Sequence, residues 1–121
     1  MEMTTQKIRT IINDMIAETN TLINTYDELT IKRYWIRYKY ELQKAIEMLN
    51  DYNDEDFIDW DFDWKLMDKA MEYNDQYSLD IADGAIYKHK LPQAVEHKFA
   101  EKALKDLRFR IDVNRDVCDI G

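Results

Sequence analysis

The spacing of apolar residues is the feature that most constrains the fold of this chain. In the first segment they recur three, four and seven residues apart, at Ile8, Ile11, Ile12, Met15, Ile16, Leu22, Ile23 and Tyr26. This spacing places one apolar stripe on a helix over about residues 5–24, with Thr4 or Thr5 capping its start. The next segment, Thr25 to Glu28, has the form of a capping box and predicts a second helix to about residue 50. Two long helices with a short joint predict an antiparallel helical hairpin.

Two further helices are predicted in the second half of the chain. A helical row predicts the third, from about residue 61 or 63 to 83, with Gly84 just past its end; the row is Phe62, Leu66, Ala70, Tyr73, Tyr77 and Ile81. The alternative at 79–88 is a short β-hairpin that turns at Asp83 and Gly84. Pro92 suits the first turn of a fourth helix, whose apolar stripe extends to Ile111. The tail from residue 113 to 121 is expected to be frayed or loosely packed.

The composition supports one helical domain over residues 1–121. Two glycines and one proline are too few for the turns of an all-β chain, while three Trp, eight Tyr and four Phe supply apolar area for a core. We therefore predict an all-α, single-domain bundle of about four helices, with an acidic irregular segment between helices 2 and 3. The first residues contain no apolar stretch typical of secretion, and no segment has the roughly 20 apolar residues that span a bilayer. A cytoplasmic protein is expected, with Cys118 as a small buried hydrophobe.

The net negative charge of the chain arises from one third of its length. Residues 51–83 hold twelve acidic residues and two basic ones, whereas residues 1–50 hold seven of each. No base interrupts the stretch from Asp51 to Asp63, in which aromatic residues alternate with aspartates near its end. Helix N-termini favour acids, which accounts for Asp61 and Asp63 but not for the whole run. The run is therefore either a solvated face or a surface that meets positive charge.

Catalytic and metal-binding motifs fail when their spacing is tested. Asp59, Asp61 and Asp63 resemble the start of a calcium loop, but Trp64 and Ala70 occupy the positions that need Gly and Glu. Zinc would need a second cysteine or a close histidine pair, and the two histidines, expected at the surface, lie eight residues apart. There is no phosphate-binding glycine loop and no nucleophile motif. We expect no enzyme activity, no metal site and no cofactor.

The first functional hypothesis is an inhibitor that mimics nucleic acid. Carboxylates along a loop and a helix would occupy the Lys/Arg groove of a nucleic-acid-binding protein, such as a nuclease or CRISPR effector. The residues expected to replace phosphates are Asp51, Asp54, Glu55, Asp56, Asp59, Asp61 and Asp63. Trp60 and Trp64 would be the aromatic anchors, although at least one of them is expected in the core. In size and composition the chain resembles the small acidic anti-defence proteins of phages and mobile elements, including anti-CRISPR proteins and DNA mimics, which implies the same inhibitory role.

Two other functional classes follow from other parts of the sequence. The long apolar stripes of the first two helices favour a helical adaptor, or a protein that self-associates into a dimer. Direct nucleic-acid binding would use the basic residues of the last helix, but acids at helical spacing predict ion pairs within that helix instead. We expect neither direct nucleic-acid binding nor membrane binding.

Overall fold

A computed structural model of the chain describes residues 3–58, 60–84 and 88–120, excepting the side chains of His89 and residues 116–120. Within these ranges four α-helices form a bundle: α1 (Thr5–Thr25), α2 (Leu29–Met48), α3 (Trp60–Gly84) and α4 (Leu91–Ile120). A 3-10 turn, Lys88–Lys90, precedes α4, and two short strands, β1 (Met3–Thr4) and β2 (Phe57–Ile58), pair antiparallel. The predicted all-α bundle of about four helices is confirmed. The predictions for Asp59, for the side chain of His89 and for that of Cys118 lie outside what is described.

The start of α1 follows the sequence prediction, whereas the start of α2 does not. The hydroxyl of Thr4 accepts a hydrogen bond from the Lys7 amide at 3.2 Å, as expected of an N-cap residue. Thr25 is the last residue of α1, and its hydroxyl donates to the Thr21 carbonyl at 2.7 Å. Because that hydroxyl bonds back along α1, it caps nothing in α2, where Glu28 takes the N-cap position without a side-chain bond. The predicted capping box is wrong.

The ends of α3 and α4 extend further than predicted. Residues 79–84 are helical, so the first strand of the alternative hairpin at 79–88 is absent; residues 85–87 lie outside the described ranges. Gly84 is the last residue of α3 and has no positive φ, so it is not the left-handed cap predicted after the helix. A methyl group added at Gly84 would overlap the side chain of Leu91, so glycine permits close approach of α4. The helix α4 continues through the predicted frayed tail, with Arg115 buried.

The core lies where α4 packs against the other three helices, most extensively against α3. α1 contributes the first half of its predicted stripe, since Ile8 and Ile12 are fully buried while Tyr26 is exposed. The other fully buried large apolar residues include Leu42, Leu49, Ile58, Leu66, Leu104, Leu107 and Ile111. Burial of these side chains drives the packing, at about 1.5–3 kcal/mol for each large apolar side chain. The acidic segment between α2 and α3 contributes Ile58 to this core, while its described loop carboxylates are exposed.

Candidate partner-binding surface

The acidic loop between α2 and α3 is fastened to the N-terminus of α1. The amide of Thr5 donates to the Asp56 carbonyl at 2.7 Å, and the amide of Gln6 donates to the Asp54 carbonyl at 3.0 Å. The first amides of a helix have no partner within the helix, so the loop backbone satisfies two of them. Pairing of β1 with β2 continues this attachment. The loop therefore has a defined position, at the positive end of the α1 dipole, which favours its carboxylates.

Most of the predicted carboxylates in this segment face solvent. Asp51, Asp54, Glu55 and Asp56 are exposed on the loop, and Asp61 is exposed in the first turn of α3. The Asp54 carboxylate lies 3.6 Å from the Arg9 guanidinium, and a side-chain oxygen of Asp56 accepts from the Asn53 amide at 2.9 Å. The structure thus brings five of the seven predicted carboxylates to one end of the molecule as an exposed acidic surface.

Asp63 is the member of the predicted set that does not belong to this surface. Its side chain is 4% exposed and forms an ion pair with Arg115, whose own side chain is 6% exposed. The Arg115 guanidinium also lies over the Trp60 ring, 4.5 Å from its centroid, and 3.5 Å from Asp112. Because α3 begins at Trp60, position 63 lies beside the buried row of α3. Asp63 therefore neutralises a buried arginine and presents little charge to a partner.

Both predicted anchor residues, Trp60 and Trp64, lie at the surface. Their exposed fractions are 60% and 67%, so the expectation that at least one would be in the core is wrong. Phe62, which lies between the two tryptophans in the sequence, is part of the core. The third tryptophan, Trp35, packs against Tyr38 and Phe99. The start of α3 therefore carries two adjacent exposed indoles beside the acidic loop.

The two tryptophans border a groove between α3 and α4. The groove has a volume of about 400 Å³ and is lined by Trp60, Asp63, Trp64, Met67, Asp68, Met71 and Arg108. A second, shallower depression shares Met67 and Arg108 and extends the apolar surface to the exposed Phe109 of α4. Met67, Met71 and Phe109 are not among the site residues predicted from the sequence. The spacing of residues 60, 64, 67 and 71 is nevertheless helical and could have indicated a second apolar row on α3.

A buried polar cluster joins α2, α3 and α4 and was not predicted either. Glu41 is buried and accepts hydrogen bonds from Tyr73 at 2.7 Å and from Arg37, with Lys44 at 3.0 Å. Burial alone would raise the pKa of Glu41, but the bonds from Tyr73, Arg37 and Lys44 outweigh it and lower that pKa. Through its Oε1 atom this carboxylate links α2 to α3, while its Oε2 atom is buried without a hydrogen-bond partner among the described residues.

His97 belongs to the same region, stacked on Tyr73 and bonded through Nδ1 to the buried Asp80 at 2.7 Å. The prediction of a surface position is therefore wrong for His97, which is half-buried on Asp80. Its ring is hydrogen-bonded to a carboxylate within the helix interface, which is consistent with a structural role for this histidine.

Lys98, Lys102 and Lys105 of α4 form ion pairs within the helix, as the sequence predicted. Lys98 and Lys105 flank Glu101, and Lys102 lies 3.1 Å from Asp106, all within the helix. Arg110 instead forms its ion pair with Glu18 of α1. Among the described residues no group of three or more His, Cys, Asp or Glu side chains has the geometry to hold a metal ion.

Comparison with protein-family models, with curated proteins and with solved structures finds no match to this chain. None of the described helices combines the length and apolarity needed to cross a bilayer. The acidic surface and the groove beside it are therefore the features that point to a function.

Proposed function

We propose that this chain is a non-enzymatic inhibitor that binds the basic nucleic-acid-binding surface of a target protein. The observation that carries the proposal is the continuity of five exposed carboxylates with two exposed tryptophans at one end of the molecule. Lys/Arg grooves that bind nucleic acid recognise closely spaced negative charges, which the carboxylates reproduce. The target that fits is a nuclease or CRISPR effector in a host cytoplasm. This chain would then be a phage or mobile-element protein that inhibits it.

The exposed aromatic residues favour a binding surface over a merely solvated acidic face. Water solvates carboxylates without cost, but two adjacent indoles left in water lose the free energy that burial would provide. Tryptophan is enriched in the residues that dominate binding energy at protein interfaces. A protein partner with a basic rim and an apolar contact therefore matches this surface better than solvent does.

The test compares capture of host proteins by the wild type and by two neutralised variants. The first replaces the exposed loop acids with Asn or Gln, at Asp51, Asp54, Glu55 and Asp56. The matched control removes the same number of charges from exposed acids elsewhere, at Asp14, Asp27, Glu28 and Asp83. Circular dichroism checks that both variants remain helical.

The expected partner binds nucleic acid, is displaced by added nucleic acid, and is lost from the loop variant but kept by the control. Binding should also weaken steeply with salt, because charge contacts dominate it. A partner without a basic groove, or equal loss in both variants, contradicts the proposal.

The alternative, a helical adaptor or self-associating protein, rests on a different surface. Leu29, Ile36 and Tyr40 lie seven and four residues apart on α2 with exposed fractions of 80%, 52% and 51%. A stripe of this kind on a helix is typical of a contact with another helix. Light scattering that gives a dimer at both low and high salt, lost on changing Leu29 and Ile36 to Ser, would favour this function over the first.

A further inference from the structure

Trp64 stands apart from the other tryptophans because it has no aromatic, cation–π or hydrogen-bond partner among the described residues. Trp35 makes edge contacts with Tyr38 and Phe99, and Trp60 lies against the Arg115 guanidinium. Within the described part of the chain Trp64 makes no ring stacking, cation–π contact or hydrogen bond, although it borders the groove of α3 and α4. Its indole is thus available to a ligand.

Two other aromatic rings of the molecule contact basic side chains. Arg115 lies over Trp60 while it is ion-paired with the buried Asp63. Lys98 repeats the pattern, with its ammonium 4.9 Å from the Tyr77 ring centroid and 2.9 Å from the Glu101 carboxylate. In each case one basic side chain contacts an aromatic face and a carboxylate together, and the two attractions add.

Trp64 likewise has an aromatic face beside a carboxylate, but no basic side chain of the described residues lies over its ring. Asp68 is exposed one helical turn after Trp64 and lines the same groove. Asp63, Asp68 and Arg108 line the groove, and Asp112 and Arg115 are ion-paired with two of them. Three carboxylates against two guanidinium groups leave this groove with one uncompensated negative charge.

We propose that Trp64 and Asp68 form a receptor for one arginine side chain of the partner. Its guanidinium would stack on the indole and donate hydrogen bonds to the Asp68 carboxylate, while Met67 and Met71 contact the aliphatic stem. Arginine is preferred to lysine because a planar, weakly hydrated cation stacks on an indole and engages a carboxylate with two parallel donors. The inference rests on the proposed function, to which it adds the chemistry of one specific contact.

The experiment uses small probes in place of a partner and follows the three tryptophan indole signals by NMR. The probes are N-acetylarginine methylamide, its lysine and leucine counterparts, and the uncharged citrulline analogue. We expect the arginine probe to shift the Trp64 signal at millimolar concentration, with Trp35 unaffected. Citrulline should bind about five-fold more weakly, the equivalent of about 1 kcal/mol for a surface cation–π contact with an ion pair.

Two variants and one control locate the contact. Asp68→Asn should weaken the arginine probe by about the same factor while leaving the citrulline analogue unchanged. Trp64→Leu keeps the groove apolar, and the Met67 and Met71 methyl signals should then no longer respond to arginine. The control, Asp75→Asn, removes another exposed acid of α3 that does not line the groove and should behave like the wild type.

Equal shifts from arginine and citrulline, tighter binding of the leucine probe, or no effect of Asp68→Asn would overturn this inference. Its failure is distinguishable from failure of the proposed function. If the probes ignore Trp64 while host capture still depends on the loop acids, only the arginine receptor is wrong. If the arginine probe binds Trp64 but capture is indifferent to the loop acids, the receptor stands and the inhibitor proposal falls.

Discussion

Replacing Arg115 by methionine would test the buried ion pair that joins the end of α4 to the start of α3. The side chains of Arg115 and Asp63 are both almost fully buried, and 52 positions separate them in the sequence. Methionine retains most of the volume of arginine and its helix propensity, so the variant removes charge with little change in packing. What remains is a buried carboxylate whose cation is gone.

The expected cost follows from that uncompensated charge. Removal of one partner from a buried pair typically costs about 3–5 kcal/mol. The lower end applies here, since the exposed Trp60 covers the pair and can move to admit water. We therefore expect Arg115→Met to lower the free energy of unfolding by about 3 kcal/mol, or the melting temperature by roughly 10–15 °C for a chain of this length.

Urea denaturation followed by circular dichroism measures this cost, with Arg110→Met as the matched control. Arg110 lies on the same helix but its ion pair with Glu18 is 40% and 56% exposed, so its loss should cost only about 0–1 kcal/mol. The double variant, Asp63→Leu with Arg115→Met, removes both charges and should return to within about 1 kcal/mol of the wild type.

A cost below about 1 kcal/mol for Arg115→Met would show that Asp63 is solvated, and would refute the burial argument. A double variant as unstable as the sum of the single ones would also refute it, because the two charges would then act independently.

Two further predictions concern the helix interface. Because folding lowers the pKa of Glu41, the folded state binds fewer protons than the unfolded state in the acid range. The stability that this carboxylate contributes is therefore lost as the pH falls below 4.5, the ordinary pKa of a glutamate. Urea unfolding at pH 7 and pH 3 should show a smaller loss for Glu41→Gln than for the wild type, and an equal loss would contradict the bonding described. In Gly84→Ala the added methyl overlaps Leu91, and we expect a net cost of about 1 kcal/mol in thermal unfolding after the gain in helix propensity. In a Leu91→Ala background, Gly84→Ala should cost nothing relative to Leu91→Ala alone. If Gly84→Ala by itself is at least as stable as the wild type, the close approach is contradicted.

The helices themselves are predictable because helix formation depends on near neighbours. The stripe from Ile8 to Met15 and the row through Phe62 and Leu66 each indicate one buried face, and Thr4 is a local cap. The predicted capping box at Thr25 is wrong because a local motif competes with continuation of α1 by another turn. Local signals therefore determine which segments are helical more reliably than where each helix ends.

The division of the acidic segment into surface and interior was decided by packing. Asp63 has the same sequence surroundings as Asp61, yet only Asp63 meets Arg115, which arrives from the far end of α4. The loop is likewise held by hydrogen bonds that its carbonyls accept from the Thr5 and Gln6 amides, about 50 residues earlier in the chain. Contacts of this separation leave no trace in local periodicity.

The sequence alone determined that this protein is a helical bundle with its net negative charge concentrated in α3 and in the loop before it. It predicted the apolar row of Phe62 and Leu66 on α3, but it did not determine whether Trp60 and Trp64, which also have helical spacing, would be buried. The fold buries the row of Phe62, Leu66 and Ala70 against α4 and leaves Trp60 and Trp64 in solvent. Only one face of a helix can meet its neighbour, and the choice depends on the complementary surface of α4, which forms only when the chain has packed.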